Sequence, residues 1–323
     1  MPILGELVCP SCGDTIQGME WNRPLDGTPA TTGYDSCARK CVGCGFGFSN
    51  SQATTPTVIY RDPFWDVPEF IARESEDVLR RALNVVSRGK KEQRFASRNS
   101  EDHVTWTMFR YLVVTRKISA LAAQLGIVSA DAPEPTVLLW GVSITPCERA
   151  RELEKRIQAT LDALGERAYR RSEPDVILDF GMTGVVFIEV KLRSPNNYED
   201  ITEERTNRYI NRSDDEQSSR PFVNSDKAIQ SGLYELIRNW RILCELANDR
   251  PAALVNLGVR SRPGEAEERL KKFEESLLTT PQRRFLRISW RDFIGAIVHK
   301  PLWLSRYIDD RGILDQKGPA VAK

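Results

Sequence analysis

The stretch EPDVILDFGMTGVVFIEVKLRS, residues 173–194, decides how this chain is read. Two apolar, β-branched segments, 175–180 and 185–192, flank a glycine-bearing turn at 181–184, and that pattern predicts a hairpin. Side chains alternate between the faces of a strand. Glu189 and Lys191 therefore project from one face, and Ile188, Val190 and Leu192 from the other. Asp175 opens the first strand, and a hairpin of this length can bring its carboxylate near Glu189.

Upstream, VLLWG at 137–141 is strand-like, and Thr145-Pro146-Cys147-Glu148 has the cap, first-turn proline and acid of a helix start, predicting a helix to Leu164 that Gly165 ends. Downstream come a helix over 226–247, the apolar strand AALVNLGV at 252–259, a charged helix over 263–278, the strand FLRIS at 285–289 and a short helix at 291–298. This order predicts an α/β (α+β) fold with a mixed central sheet flanked by helices over 136–312, followed by a tail at 313–323.

Residues 51–135 predict a connector and helical region. Three prolines mark 51–68, with a short strand at Val58, Ile59 and Tyr60. From Ser75, Val78, Leu79, Ala82, Leu83 and Val86 form one helical stripe, and a second helical run, one helix or two, extends from its cap at Ser100 to Gly126. His103, beside Trp106, reads as a packing residue. The proline-rich loop 131–135 closes this region.

Residues 1–50 carry Cys9-Pro-Ser-Cys12-Gly13 and Cys41-Val-Gly-Cys44-Gly45. Each pair turns both sulfurs toward one metal while the glycine admits the tight bend, so Cys9, Cys12, Cys41 and Cys44 make a closed four-thiolate site for one structural Zn²⁺. Residues 7–48 resemble a zinc ribbon, with Cys37 as a spare ligand. Trp21, Phe46 and Phe48 either stack on a partner's bases or fill the ribbon's small core, and the second role is favoured. Five of seven cysteines lie in the first 44 residues, and Cys147 and Cys244 are expected as isolated buried thiols.

With 46 Lys+Arg against 45 Asp+Glu, the net charge of +1 gives no global attraction to a polyanion. A local basic segment exists: Arg80, Arg81, Arg88, Lys90, Lys91, Arg94 and Arg98 against Glu92, either a phosphate-facing surface or a solvated helix face. No apolar run approaches the roughly 20 residues of a membrane span and no secretory leader is evident, so the expected location is the cytoplasm, with no membrane partner. Only His103 and His299 are present, and there is no phosphate loop ending in Gly-Lys-Ser/Thr and no GxSxG elbow. Histidine-based nucleases, P-loop NTPases and common serine hydrolases are disfavoured.

Two carboxylates, Asp175 and Glu189, with the Val190 carbonyl are hard oxygen donors of the kind Mg²⁺ or Mn²⁺ takes, and Lys191 can orient a water or stabilise charge on a phosphate. Pro174-Asp175 and Glu189-Val190-Lys191, thirteen residues apart, resemble the PD-(D/E)XK nuclease superfamily over about 136–300. The resemblance implies a restriction-endonuclease-like core and divalent-metal-dependent cleavage of nucleic acid, DNA first. Asp179 is the substitute carboxylate. The family's helix glutamate maps to Glu154, which is equally a surface acid; Glu148 and Glu152 fit less well, and Glu101 is a candidate from an earlier helix. Gln230 and Tyr234 fit the QxxxY element of RecB-like members. By family association the setting is restriction or genome defence, with a homodimer for double-strand cleavage and a separate ATPase or helicase subunit in any NTP-driven machine. The alternatives are a zinc-ribbon adaptor that binds nucleic acid or protein, and a repair or transposition subunit active only with partners.

Overall fold

A computed structural model describes residues 3–21, 33–53, 55–81, 94–145, 147–166, 174–193, 195–212, 220–258 and 264–314. The N-terminal residues have too few apolar side chains for long strands and form two-residue pairs instead. Strands β1 (Ile3–Leu4) and β4 (Met19–Glu20) pair, as do β2 (Leu7–Val8) and β3 (Thr15–Ile16). β5 (Arg39–Lys40), β6 (Gly47–Phe48) and β7 (Val58–Ile59) make a three-stranded antiparallel sheet. Buried Arg39 cross-links the module by donating to the carbonyls of Gly5, Ser49 and Ser51 at 2.8, 3.2 and 3.0 Å. The strand expected in the connector is therefore part of this sheet. It is also tied to the body of the protein, because Tyr60 N–H donates to Ala96 O at 2.8 Å and Arg98 N–H to Val58 O at 2.9 Å. Phe46 packs edge-on against Tyr60 and Trp65, and Phe48 is buried, so both fill the core as favoured.

Helices α1 (Glu69–Ala72), α2 (Ser75–Arg81), α3 (Glu101–Val114) and α4 (Ile118–Gln124) follow. The Ser100 hydroxyl caps α3 by accepting from His103 N–H at 3.1 Å. His103 itself is fully buried, 2.7 Å from the Tyr307 hydroxyl, in the packing role expected of it. The remaining elements are β8 (Thr136–Leu139), β9 (Val142–Ser143), α5 (Glu148–Ala163), β10 (Val176–Asp179), β11 (Val185–Val190), α6 (Glu203–Arg205), α7 (Ser225–Ser231), α8 (Tyr234–Ala247), β12 (Ala252–Gly258), α9 (Glu265–Ser276), β13 (Arg283–Ser289), α10 (Trp290–Gly295) and α11 (Leu302–Asp310).

Six strands form one mixed sheet in the order β13-β12-β11-β10-β8-β9. β11, β12 and β13 are parallel, which requires long crossovers, and helices supply them; β10, β8 and β9 complete the sheet antiparallel. Alternation splits the apolar side chains between two cores. Val176, Val186, Ile188 and Val255 face α3, α10 and α11, whereas Ile177, Phe187 and Leu254 face α5, α8 and α9. A mixed sheet sandwiched by helices agrees with the expected layer architecture.

Several local expectations are corrected. α5 begins at Glu148 with Cys147 as its N-cap, and Thr145 instead lies 3.5 Å from Val137 N–H; Cys147 is exposed while Cys244 is buried. The single helix expected over 226–247 is two, because Gly232 takes φ +63° and ends α7. α11 was not anticipated, although Leu304, Tyr307 and Ile308 supply a short buried stripe. Pro146, Ala82, Leu83, Val86, Arg88, Lys90, Lys91 and Glu92 lie outside the described residues.

Candidate active site and metal centre

β11 extends past the start of β10. The register pairs Val176 with Ile188, which sets Asp175 opposite Glu189. Beyond that point the N–H groups on this flank of β11 have no strand partner among the described residues, and a buried backbone donor must find another acceptor. Two carboxylates take the place of the missing strand: Asp175 Oδ2 accepts Val190 N–H at 2.8 Å, and Glu101 Oε2, from the first turn of α3, accepts Leu192 N–H at 2.7 Å. The intervening Lys191 N–H points the other way and donates to Leu257 O of β12 at 2.7 Å. The Val190 carbonyl, by the same alternation, faces the flank that carries the two acids.

Glu189 and Lys191 project toward α8. Lys191 Nζ donates to Glu189 Oε1 at 2.7 Å and to Glu235 Oε2 at 2.9 Å, while Asn239 Nδ2 donates to Glu189 Oε2 at 2.8 Å. Glu235 and Asn239 stand four apart on α8, so one helix face presents both. Trp290 Nε1–H fastens the end of the strand through Lys191 O at 3.1 Å.

Burial governs the protonation of this cluster. It raises the Glu189 carboxyl well above its ordinary value, and the Asp175 charge adds to that effect against the pull of Lys191. Burial likewise pushes Glu101 up to about 7, opposed by Lys191 and reinforced by Asp175. Burial alone would lower the Lys191 ammonium, but Glu189, Glu235, Asp175 and Glu101 outweigh it and hold the amine charged.

The polar row continues across the sheet, because Glu189 pairs with Asn256 and Asn256 with Arg287. Asn256 is buried and its Oδ1 has no hydrogen-bond partner among the described residues; Arg287 is ion-paired with Glu267.

The structure thus brings together Asp175, Glu189, Val190, Lys191 and Glu101, and not the other expected residues. Glu154 accepts from Ser143 N–H at 2.8 Å on β9, three strands from β11, and Glu148 and Glu152 are exposed on α5. Asp179 is four residues from Asp175 along the strand; it accepts from Gly181 N–H and from Arg250 at 2.9 Å each and braces the hairpin turn. Gln230 is exposed on α7. Tyr234 lies beyond the helix break, under the Arg205 guanidinium at 3.7 Å, so the two share no helix face. Sequence reasoning missed Glu235, Asn239 and Asn256. The last did leave a signal: an amide inside the otherwise apolar AALVNLGV.

At the N-terminus, Cys9 Sγ lies 3.4 Å from Cys44 Sγ and Cys12 Sγ 3.3 Å from Cys41 Sγ, and all four sulfurs fall within 4.8 Å of one another. A tetrahedral site with Zn–S of about 2.3 Å needs sulfurs about 3.8 Å apart, within that spread. The two knuckles are alike. Gly13 N–H donates to Cys9 O and Gly45 N–H to Cys41 O, both at 2.9 Å, with the glycines at φ +80° and +73°. This cluster could hold a structural metal such as zinc. Cys37 is outside it, packed so tightly on Gly47 that a Cβ there would lie 2.7 Å from its sulfur. Among the described residues the cysteines are the one group of three or more His, Cys, Asp or Glu ligands this closely spaced; the acids beside Lys191 are spread more widely.

Of the described cations in the basic segment, Arg80 and Arg81 pair with Asp77. Arg98 donates to Asp310 O, and Arg193, following Leu192, donates to the next carbonyl, Arg311 O, at 2.6 Å. No helix among the described residues is long and apolar enough to cross a membrane. The chain matches no protein-family model, no curated protein and no solved structure.

Proposed function

We propose that the chain is a divalent-metal-dependent nuclease of the PD-(D/E)XK type, acting on DNA, with a zinc-braced N-terminal module. The observation that carries this reading is the convergence on β11 of Asp175, Glu189, Lys191 and Glu101, with two of the acids held on the strand's own N–H groups.

Three carboxylates and the Val190 carbonyl form an all-oxygen donor set suited in kind to Mg²⁺ or Mn²⁺, ions that retain water and need one or two direct carboxylates, so the wide spacing of the acids is compatible with them. When bound, such an ion supplies positive charge beside the scissile phosphate and acidifies a water. The protein's own groups do the rest. Lys191, held charged, donates hydrogen bonds where negative charge develops on the phosphate. Glu101, whose Oε2 is held by Leu192 N–H, is placed to accept the proton of the attacking water. Arg98 and Arg193, chain neighbours of Glu101 and Leu192, offer cations at the same end of the sheet for the flanking phosphates. Four thiolates leave a zinc ion no open position, so that metal braces the fold and takes no part in the chemistry. Restriction of foreign DNA by paired chains is the setting that suits this activity.

One observation favours a second reading, a binding module that does not cut: both Glu189 oxygens are already engaged, by Lys191 and by Asn239, as in a network that only docks α8 on the sheet. Incubating the purified chain with supercoiled plasmid and labelled oligonucleotides in Mg²⁺, in Mn²⁺ and without divalent metal separates the two. Metal-dependent cutting is expected; binding without cutting under every condition would favour the second reading.

A further inference from the structure

After Lys191 the chain crosses back over the junction of α7 and α8, where Glu199 N–H donates to Gly232 O at 2.9 Å. At this crossing lies a cavity of about 410 Å³ lined by Asn196, Asn197, Tyr198, Leu233, Glu265 and Arg269. It is a near neighbour of the acidic cluster in the chain: Leu233 is two residues before Glu235, which holds Lys191, and Asn196 is five residues after Lys191. Its size falls in the range of small-molecule pockets, about 300–1,000 Å³.

The lining is built for a flat ligand that donates hydrogen bonds. The Arg269 guanidinium lies 3.6 Å from the centroid of the Tyr198 ring, forming a stacked cation–aromatic platform. That ring fits only because residue 232 is glycine: a Cβ there would come within 2.2 Å of a ring carbon, and φ +63° further disfavours any side chain. Asn196 lines the cavity, and its Oδ1 is buried with no hydrogen-bond partner among the described residues. The Glu265 carboxylate adds a second acceptor, and it already engages Arg269, so the pocket suits an anionic phosphate poorly.

We propose that this cavity is a nucleobase pocket: an unpaired base close to the cleaved phosphodiester stacks on the Tyr198–Arg269 platform and its exocyclic amino group donates to Asn196 Oδ1. Planar bases stack on aromatic rings and guanidinium planes alike, which gives affinity without sequence. Selectivity comes from the two acceptors. Adenine, cytosine and guanine carry an NH₂ with two hydrogens to give, whereas thymine and uracil offer a single ring N–H between two carbonyl oxygens that the acceptors repel. The pocket deepens the nuclease reading by supplying a preference for amino-bearing bases in single-stranded or frayed substrate.

The test is fluorescence anisotropy of the full-length protein with labelled (dA)₈, (dC)₈ and (dT)₈ without added divalent metal, alongside plasmid cleavage in Mg²⁺. The expected result is that (dA)₈ and (dC)₈ bind about fivefold or more tighter than (dT)₈, that Asn196→Ala removes the preference, and that Tyr198→Leu weakens all three about fivefold or more. Zinc content and melting temperature of each variant show that it is folded. Equal or tighter binding of (dT)₈, a preference that survives Asn196→Ala, or no binding of any oligonucleotide would overturn the pocket. Cleavage without base preference defeats the pocket and leaves the nuclease standing; base preference without cleavage in any metal does the reverse.

Discussion

The Glu101 carboxylate accepts the Leu192 amide at 2.7 Å from a position ninety-one residues earlier in the chain. It thereby closes the open flank of β11 beside Asp175 and makes the N-terminus of α3 part of the candidate site. Replacing Glu101 by Gln keeps an acceptor for Leu192 N–H and removes the charge and the base. Cleavage by Glu101→Gln should fall about 100-fold or more, while Glu154→Gln, which alters a contact on β9, should stay within about twofold. Equal losses in a single-turnover assay would show that Glu101 has no special role.

The raised Glu101 carboxyl also links stability to pH. Burial, opposed by Lys191 and aided by Asp175, lifts it from 4.5 to about 7, so the folded metal-free protein holds this proton more tightly than the unfolded chain. Its stabilising contribution is full below about 4.5 and is lost as pH rises through about 7. His103 acts in the opposite sense, since burial lowers it well below 6.5 and its contribution is lost as pH falls. Subtracting the urea stability of Glu101→Gln from that of the wild type isolates the first effect. The difference should fall, turning against the wild type, as pH rises from about 4.5 to 7; a flat difference would contradict the assignment.

How much of this could be read beforehand depended on how local each feature is. The hairpin and the shared face of Glu189 and Lys191 follow from alternation within one short stretch, and the cysteine knuckles carry their own glycines. Glu101 arrives through tertiary packing, which no spacing rule within the hairpin reports. Gln230 and Tyr234 mislead for the converse reason: four apart on one helix they would cooperate, but Gly232 breaks that helix, and a glycine amid the pattern was the available warning. Nothing local distinguishes Glu235, an acid in the first turn of α8, from an ordinary solvated one. The Pro after Thr145 suggested a cap there, yet the extended residue that caps α5 is Cys147.

The four-cysteine cluster predicts one zinc per chain. Cys41→Ser should release it and melt the small sheets β1–β6, because apparent binding energies of structural zinc sites, about 10–16 kcal/mol, far exceed what so few buried side chains provide. Cys37→Ser should retain full zinc content, since Cys37 packs on Gly47 outside the cluster. Metal analysis after gel filtration distinguishes the two variants; zinc loss from Cys37→Ser would make Cys37 a ligand.

Behind α8, Glu166 receives Arg238 Nε and Nη2 at 2.8 and 2.7 Å and the Tyr209 hydroxyl at 2.8 Å, all buried. Arg238→Met leaves that carboxylate without its cation and should destabilise the fold by about 3–5 kcal/mol, while adding Glu166→Met should recover most of the loss. Denaturant titration of the single and double variants measures both. A single variant as stable as the wild type would mean that the pair does not anchor α8.

The most direct measurement of the central claim is Mg²⁺-dependent phosphodiester cleavage by the wild type, Asp175→Asn and Lys191→Met, each first shown by circular dichroism and zinc content to be folded. The account predicts cutting by the wild type and losses of about 100-fold or more in both variants, because one removes a charge from the metal-facing acids and the other the cation that meets the phosphate. Cutting that persists undiminished in folded Asp175→Asn and Lys191→Met, or a wild type that cuts nothing in any divalent metal, would contradict it.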